Sequence, residues 1–220
     1  GEGSSKLTFR LAEPLKGMKI IHVNSTKEGG GVAEILNRLV PLKRDLGIDA
    51  SWEVVTGNSQ FYQCTKKMHN SLQGNRDDIS EALLRNFEET GRNNYEELRD
   101  KLDNADVVFI HDPQPAPLLS FSSGRKGKWI WRCHIDVSHP YRPVWKYLRK
   151  YVEKYDASIW SLSTFSQHMP HPLYLIPPSI DPLSDKNMDL PADEIESVMA
   201  KYGIDRNLPV ITQISRFDRF

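Results

Sequence analysis

Cysteine is almost absent from this chain, which carries only Cys64 and Cys133. Both fall among core-forming residues and without C-x-x-C spacing, so neither a disulfide framework nor a zinc site is supported. Long apolar runs are missing as well. No stretch approaches the ~18 residues needed to span a bilayer, and no charged segment followed by an apolar one opens the chain. The expected setting is therefore a reducing cytoplasm, with no membrane partner. Charge of one sign is also lacking, since 29 basic side chains meet 29 acidic ones. Without a net basic field, nucleic acid is not an expected partner. The chain has no spaced G-x-G-x-x-G, no G-K-S/T phosphate loop and no G-x-S-x-G elbow, which argues against dinucleotide binding, P-loop chemistry and serine hydrolysis. What remains is 220 residues, 39% of them hydrophobic, enough for a full globular core. The Gly/Ser-rich opening, residues 1–17, is set aside as an N-terminal extension.

The most informative stretch is MKIIHVNSTKEGGGVAEILNRLVPLKRDLG, residues 18–47. An apolar strand, residues 19–23, runs through a polar corner and three glycines into a helix over residues 32–46. That helix rests on the stripe Val32, Ile35, Leu36, Leu39 and Val40, with Gly47 as its stop and Pro41 expected to kink it. Gly29, Gly30 and Gly31 lack a Cβ, so the backbone there can take positive φ and approach a ligand closely. The helix they precede opens with unpaired N–H groups suited to a phosphate or sugar oxygen. The alternative is a tight connection with no ligand.

Strand and helix then alternate. Strand signals cover residues 48–54, 106–110, 128–133, 157–162 and 173–176. Helix signals cover residues 59–72, with Ser59 as cap, two helices in 77–102 broken near Gly91, one through Val144, Tyr147, Leu148, Tyr151 and Val152, and a short one at 163–168. This order argues for an α/β fold, a Rossmann-like, doubly wound parallel sheet covered by helices on both faces.

The polar residues fall where such a sheet binds ligands. The first strand ends at Asn24-Ser25-Thr26, the third at His111-Asp112 and the fourth at His134-Ile135-Asp136. In an open α/β sheet, ligands bind outside the carboxyl ends of the strands, where strand order reverses. The convergence points to a site, although each cluster also has a plainer reading. His111-Asp112-Pro113 reads equally as a capped turn. His134 and Asp136 could offer a metal two ligands, but no third follows at usable spacing. The basic run from Arg142 to Lys154 reads as a solvated helix face.

The runs HVNSTKEGGGVAEILNRLVPL, HDPQPAP, WRCHIDVS and IPPSIDPLSDKN resemble the trehalose glycosyltransferring synthases, retaining enzymes of glycosyltransferase family 4 with the GT-B fold. The resemblance covers residues 18–220. It implies two Rossmann-like domains facing each other across a cleft, of which residues 18–176 would be the acceptor-side domain. It also implies a transfer of glucose, with retention, from a nucleoside diphosphate glucose to glucose, giving trehalose. By the same resemblance, Gly29, Gly30 and Gly31 would lie against the donor diphosphate and sugars, and His134 would hydrogen-bond the transferred glucose as the catalytic residue. Asp112, Gln114 and Asp136 would line the acceptor pocket. That scheme needs no metal and no cofactor. A sugar-binding domain without turnover, or a trehalose- or sucrose-phosphorylase-like transferase, are the alternatives.

Residues 177–220 resemble the hinge and first helix and strand of the donor-side domain. Arg216 matches the first of the two basic positions that grip the donor diphosphate. Its lysine partner and the family's later acidic motif are not among these 220 residues, so the chain by itself is expected to be a truncated, inactive form. The helix at 192–202 would lead to a strand, residues 210–215, without a parent sheet. An unpaired apolar strand invites association, so it is expected either to fold back or to pair with another copy as a homodimer.

Overall fold

A computed structural model describes residues 2–205 and 207–213, with the side chains of residues 2–5 left aside. The chain divides into two compact units, Gly1–Pro178 and Ser179–Phe220.

In the first unit the elements follow in the order α1 (Glu2–Ala12), β1 (Lys19–Asn24), α2 (Gly31–Asp45), β2 (Asp49–Val54), α3 (Ser59–Leu72), α4 (Glu81–Asp103), β3 (Val107–His111), β4 (Lys128–Cys133), α5 (Arg142–Val152), β5 (Ala157–Trp160) and β6 (Leu173–Leu175). Short 3₁₀ turns lie at Glu13–Leu15, Ala116–Phe121 and Ser163–Phe165. All six strands are parallel and form one sheet in the order β2-β1-β3-β4-β5-β6. The order reverses between β1 and β3, which makes the carboxyl ends of these strands the switch point.

Period-two alternation sorts each strand onto two faces. Ile20, with Ile48 and Ala50, packs on Leu36 and Val40 of α2. On the other face Ile21, Val23, Val108, Ile110, Trp129 and Trp131 join the larger core under α3, α4 and α5. The sheet is thus doubly wound, as its near-continuous apolar strands require. Trp129, Trp131 and Trp160 have no exposed surface, and Trp131 meets Trp160 edge-on at 5.3 Å between centroids. Truncating one such tryptophan would cost about 3–5 kcal/mol. At the amino edge, the Asp156 carboxylate accepts from Trp129 N–H and forms a salt bridge with Arg125.

Several local expectations are corrected. The cap of α3 is Asn58, whose side chain accepts the Phe61 N–H at 2.9 Å; an extended residue is needed there, and Ser59 is already the first helical residue. Residues 81–103 form one helix with Gly91 inside it. A Cβ on Gly91 would lie 3.2 Å from Pro117, so the glycine allows the 3₁₀ turn Ala116–Phe121 to approach rather than ending a helix. Pro41 lies inside helix α2, as the pattern predicts. His111 belongs to β3 rather than to the corner after it.

In the second unit α6 spans Ala192–Lys201, preceded by a 3₁₀ turn at Asp185–Asn187. The expected strand at 210–215 lies partly outside the described residues, and positions 210–213 carry no strand pairing.

Candidate functional site

At the switch point the strands bring together three histidines far apart in sequence. His22 sits in β1, His111 ends β3, and His134 follows β4 directly. Since His22 pairs in register with Phe109, and His111 with Arg132, the alternation places these histidines on the α2 face of the sheet. His22 Nδ1 lies 2.9 Å from His111 Nε2, and His111 Nδ1 lies 2.9 Å from His134 Nε2. Lys43, from the last turn of α2, places Nζ 2.8 Å from His22 Nε2 and 4.7 Å from the centre of the Phe109 ring. His22 stacks on the same Phe109 ring.

Burial is the main cause of the electrostatics here. It lowers His22 to about 2, with help from the charges of Lys43 and Arg132. It lowers His134 to about 3, with Arg132 assisting, and His111 well below its ordinary value. All three imidazoles are therefore neutral at pH 7, each with one donor and one acceptor nitrogen. Lys43 is lowered by burial to about 8.

Asp112 forms the corner after β3 with φ of +62°, the one non-glycine residue with positive φ among those described. Three hydrogen bonds hold it there. Its N–H donates to Arg132 O at 2.9 Å, its carbonyl accepts Trp131 Nε1–H at 3.0 Å, and its Oδ1 accepts the His134 N–H at 2.7 Å. Aspartate tolerates the left-handed region better than most residues. Burial pushes its carboxyl up to about 7, against the downward pull of the His134 N–H and of Arg132. Arg132 itself donates to Ile176 O.

The other expected site residues are placed as follows. Gly29 and Gly30 have φ of +73° and +83°, and Gly31 opens α2. All three are exposed, and a Cβ on any of them would meet nothing within 4 Å. Backbone conformation thus requires glycine at positions 29 and 30, and among the described residues nothing fills the space beside the three. Gln114 is half-buried in the turn after Asp112. Asp136 is half-buried, with Oδ1 accepting the Ser138 N–H at 2.8 Å. Arg216 lies outside the described residues. The structure therefore joins Asp112 directly to His134. The side chain of Asn24 is spent on the local corner, accepting from Trp52 Nε1–H and donating to Thr26 O.

His22, Lys43, Arg132 and Trp131 belong to no site motif legible in the sequence. One signal was legible: Lys43 continues the α2 stripe of buried Leu36 and Val40 by three residues, so a charge stands where the helix should be apolar. His22, a polar residue inside an apolar parallel strand, is its counterpart.

The comparisons with known proteins agree with this architecture. The family model for the trehalose synthase N-terminal domain matches residues 22–167. The chain belongs to that family. It is 48% identical to the trehalose synthase of Thermococcus litoralis over 94% of this chain and 50% of that protein. Against the trehalose synthase of Rubrobacter xylanophilus, identity is 43% over 94% of this chain and 51% of the other. The chain thus spans about half the length of the curated relatives it matches. A crystal structure of an α,α-trehalose 6-phosphate synthase from Burkholderia multivorans superposes with a TM-score of 0.53 at 15% identity, over 87% of this chain and 53% of that one. At that identity the likeness is one of fold, the Rossmann-like half of a GT-B glycosyltransferase.

Proposed function

We propose that this chain is the acceptor-side half of a retaining glucosyltransferase that moves glucose from a nucleoside diphosphate glucose to free glucose, giving the α,α-1,1 disaccharide trehalose. The carrying observation is the Asp112–His134 pair at the switch point of a sheet whose family is that of trehalose synthases. In this reading residues 18–176 form the acceptor-side domain and residues 177–220 the hinge and start of the donor-side domain. His134 hydrogen-bonds the transferred glucose through its outward nitrogen. Asp112, through Oδ2, joins Gln114 and Asp136 in accepting acceptor hydroxyls, because a buried hydroxyl left unpaired is costly. The open loop of Gly29, Gly30 and Gly31 admits the donor diphosphate to the amino end of α2, and Arg216 supplies a cation to it.

The C1–O bond to the diphosphate breaks as the acceptor oxygen bonds to C1 on the same face. The leaving diphosphate oxygen takes the acceptor's hydroxyl proton. Positive charge that develops on the transferred ring is offset by fixed dipoles at the strand ends, which act without reorganisation.

The test compares the 220-residue chain with the complete reading frame that carries it, following disaccharide formation from UDP-, ADP- and GDP-glucose with glucose as acceptor. The complete protein is expected to form trehalose with the anomeric configuration retained, and the 220 residues alone to form none. Phosphate-dependent cleavage of trehalose without nucleotide-dependent synthesis would replace this reading with a phosphorylase. Transfer by the 220 residues alone, abolished by His134→Ala, would overturn the expectation that the donor half is required.

A further inference from the structure

The contacts among Lys43, His22, His111 and His134 form a single hydrogen-bonded line from the last turn of α2 to the carboxyl edge of the sheet. We propose that Lys43 is a positioning residue which sets the direction of this line, so that His134 presents Nδ1–H, a donor, to a substrate oxygen. The substrate part of this proposal rests on the function proposed above.

The direction follows from donor and acceptor arithmetic. An ammonium has three N–H donors and no acceptor, so His22 Nε2 must accept from Lys43. A neutral imidazole that accepts at Nε2 carries its proton on Nδ1, and His22 Nδ1–H therefore donates to His111 Nε2. The same step repeats: His111 carries its proton on Nδ1 and donates to His134 Nε2. His134 is left with its proton on Nδ1. That nitrogen has no hydrogen-bond partner in the protein among the described residues, and it is not among the buried, unsatisfied polar atoms.

Two conditions are required, and the structure meets both. The imidazoles must be neutral, because an imidazolium would set two donors against each other. Burial and the nearby charges of Arg132 and Lys43 ensure this. Lys43 must be charged, and three features favour that. It sits in the last turn of α2, where the helix dipole stabilises a cation. It also lies over the Phe109 ring, and burial lowers its ammonium only to about 8. A neutral amine could accept from His22 instead, which would reverse the line and turn His134 Nδ1 into an acceptor. The sugar oxygen facing it would then lose its donor. An uncharged side chain at position 43 would leave the direction to the intrinsic preference of a histidine side chain, which is Nε2–H.

Long-range ¹H–¹⁵N correlation spectra of the labelled 220-residue chain at pH 7 read the three tautomers directly and require no turnover. Wild type is expected to show Nδ1–H on His22, His111 and His134, the tautomer that a solvated histidine side chain disfavours. Lys43→Met should return His134 to the Nε2–H form, whereas Lys43→Arg, which can only donate, should keep the wild-type pattern. Nε2–H on His134 in wild type, or an unchanged pattern in a folded Lys43→Met chain, overturns the proposal. Should Lys43→Met fail to fold, the wild-type and Lys43→Arg spectra decide the matter. In the complete protein, Lys43→Met should lower kcat about tenfold, with a smaller change in KM. An unchanged kcat despite altered tautomers would overturn the substrate part alone.

Discussion

The Asp112 carboxylate accepts the backbone N–H of His134 at 2.7 Å, tying the end of one strand to the end of its neighbour. The bond fixes where the His134 ring emerges from the sheet and holds Asp112 in a left-handed conformation. The same contact gives Asp112 a measurable signature.

Asp112→Ala should remove the acceptor for the His134 N–H and leave a β-carbon in the left-handed region without local compensation. The expected loss is about 1–3 kcal/mol, mainly that of the unpaired buried donor. Asp112→Asn keeps an acceptor oxygen and a residue that tolerates positive φ, but removes the titration. The wild-type carboxyl is raised to about 7, so its contribution is fully present below the unfolded value near 3.9 and declines as pH rises to about 7. The Asn variant should therefore gain on wild type between pH 4 and pH 7, with no further gain above it. Denaturant midpoints across that range check this, and an Asn variant that loses ground to wild type as pH rises would contradict it.

The histidines act in the opposite sense. Their folded-state values are depressed, to about 3 for His134 and about 2 for His22. Their contribution is present above the unfolded value near 6.5 and is lost as pH falls toward those values. Each can change stability by up to about 1.4 kcal/mol per pH unit. Three histidines outweigh one aspartate, so the chain should lose stability steeply from pH 6 to pH 4. A midpoint that stays flat over that interval would mean the imidazoles are solvated rather than buried.

Gly30→Ala should separate conformation from binding. The glycine has φ of +83° and ψ of 156°, a region almost confined to glycine, and a side chain there strains the backbone by about 1–3 kcal/mol. Among the described residues nothing occupies the space the methyl would enter. If a donor diphosphate uses that space, the complete protein should lose far more substrate affinity than this strain accounts for. Equal losses in affinity and in melting temperature would reduce the loop to a connection.

His134→Ala in the complete protein should lower kcat by about 100-fold or more, the range found when a positioning hydrogen bond made mainly in the transition state is removed. Its melting temperature should fall less than that of His111→Ala, because His111 is 2% exposed and bonded at both ring nitrogens. A variant that loses stability while keeping its turnover number would make His134 part of the core only.

The alternation of elements was legible because its signals are local. The apolar runs of β3 and β4, the stripe along α2 and the three glycines each declare themselves within a dozen residues. Boundaries were less legible where packing between distant segments decides them. Gly91 reads as a helix stop until Pro117 is seen against it, and Ser59 reads as a cap until the extended backbone of Asn58 is seen to supply one.

For the site, the sequence by itself determined that His111, Asp112, His134 and Asp136 stand at strand ends, because polar residues follow apolar strands directly. It could not order the strands. Only the sheet order β2-β1-β3-β4-β5-β6 makes β1, β3 and β4 neighbours, and only their register and the crossing of α2 bring Lys43, His22, His111 and His134 within hydrogen-bond reach. Lys43 and His22 are 21 residues apart, and His22 and His111 are 89 apart. A hydrogen bond acts over about 3 Å, so a line of four side chains drawn from two strands, a strand end and a helix exists only once the sheet has closed around them.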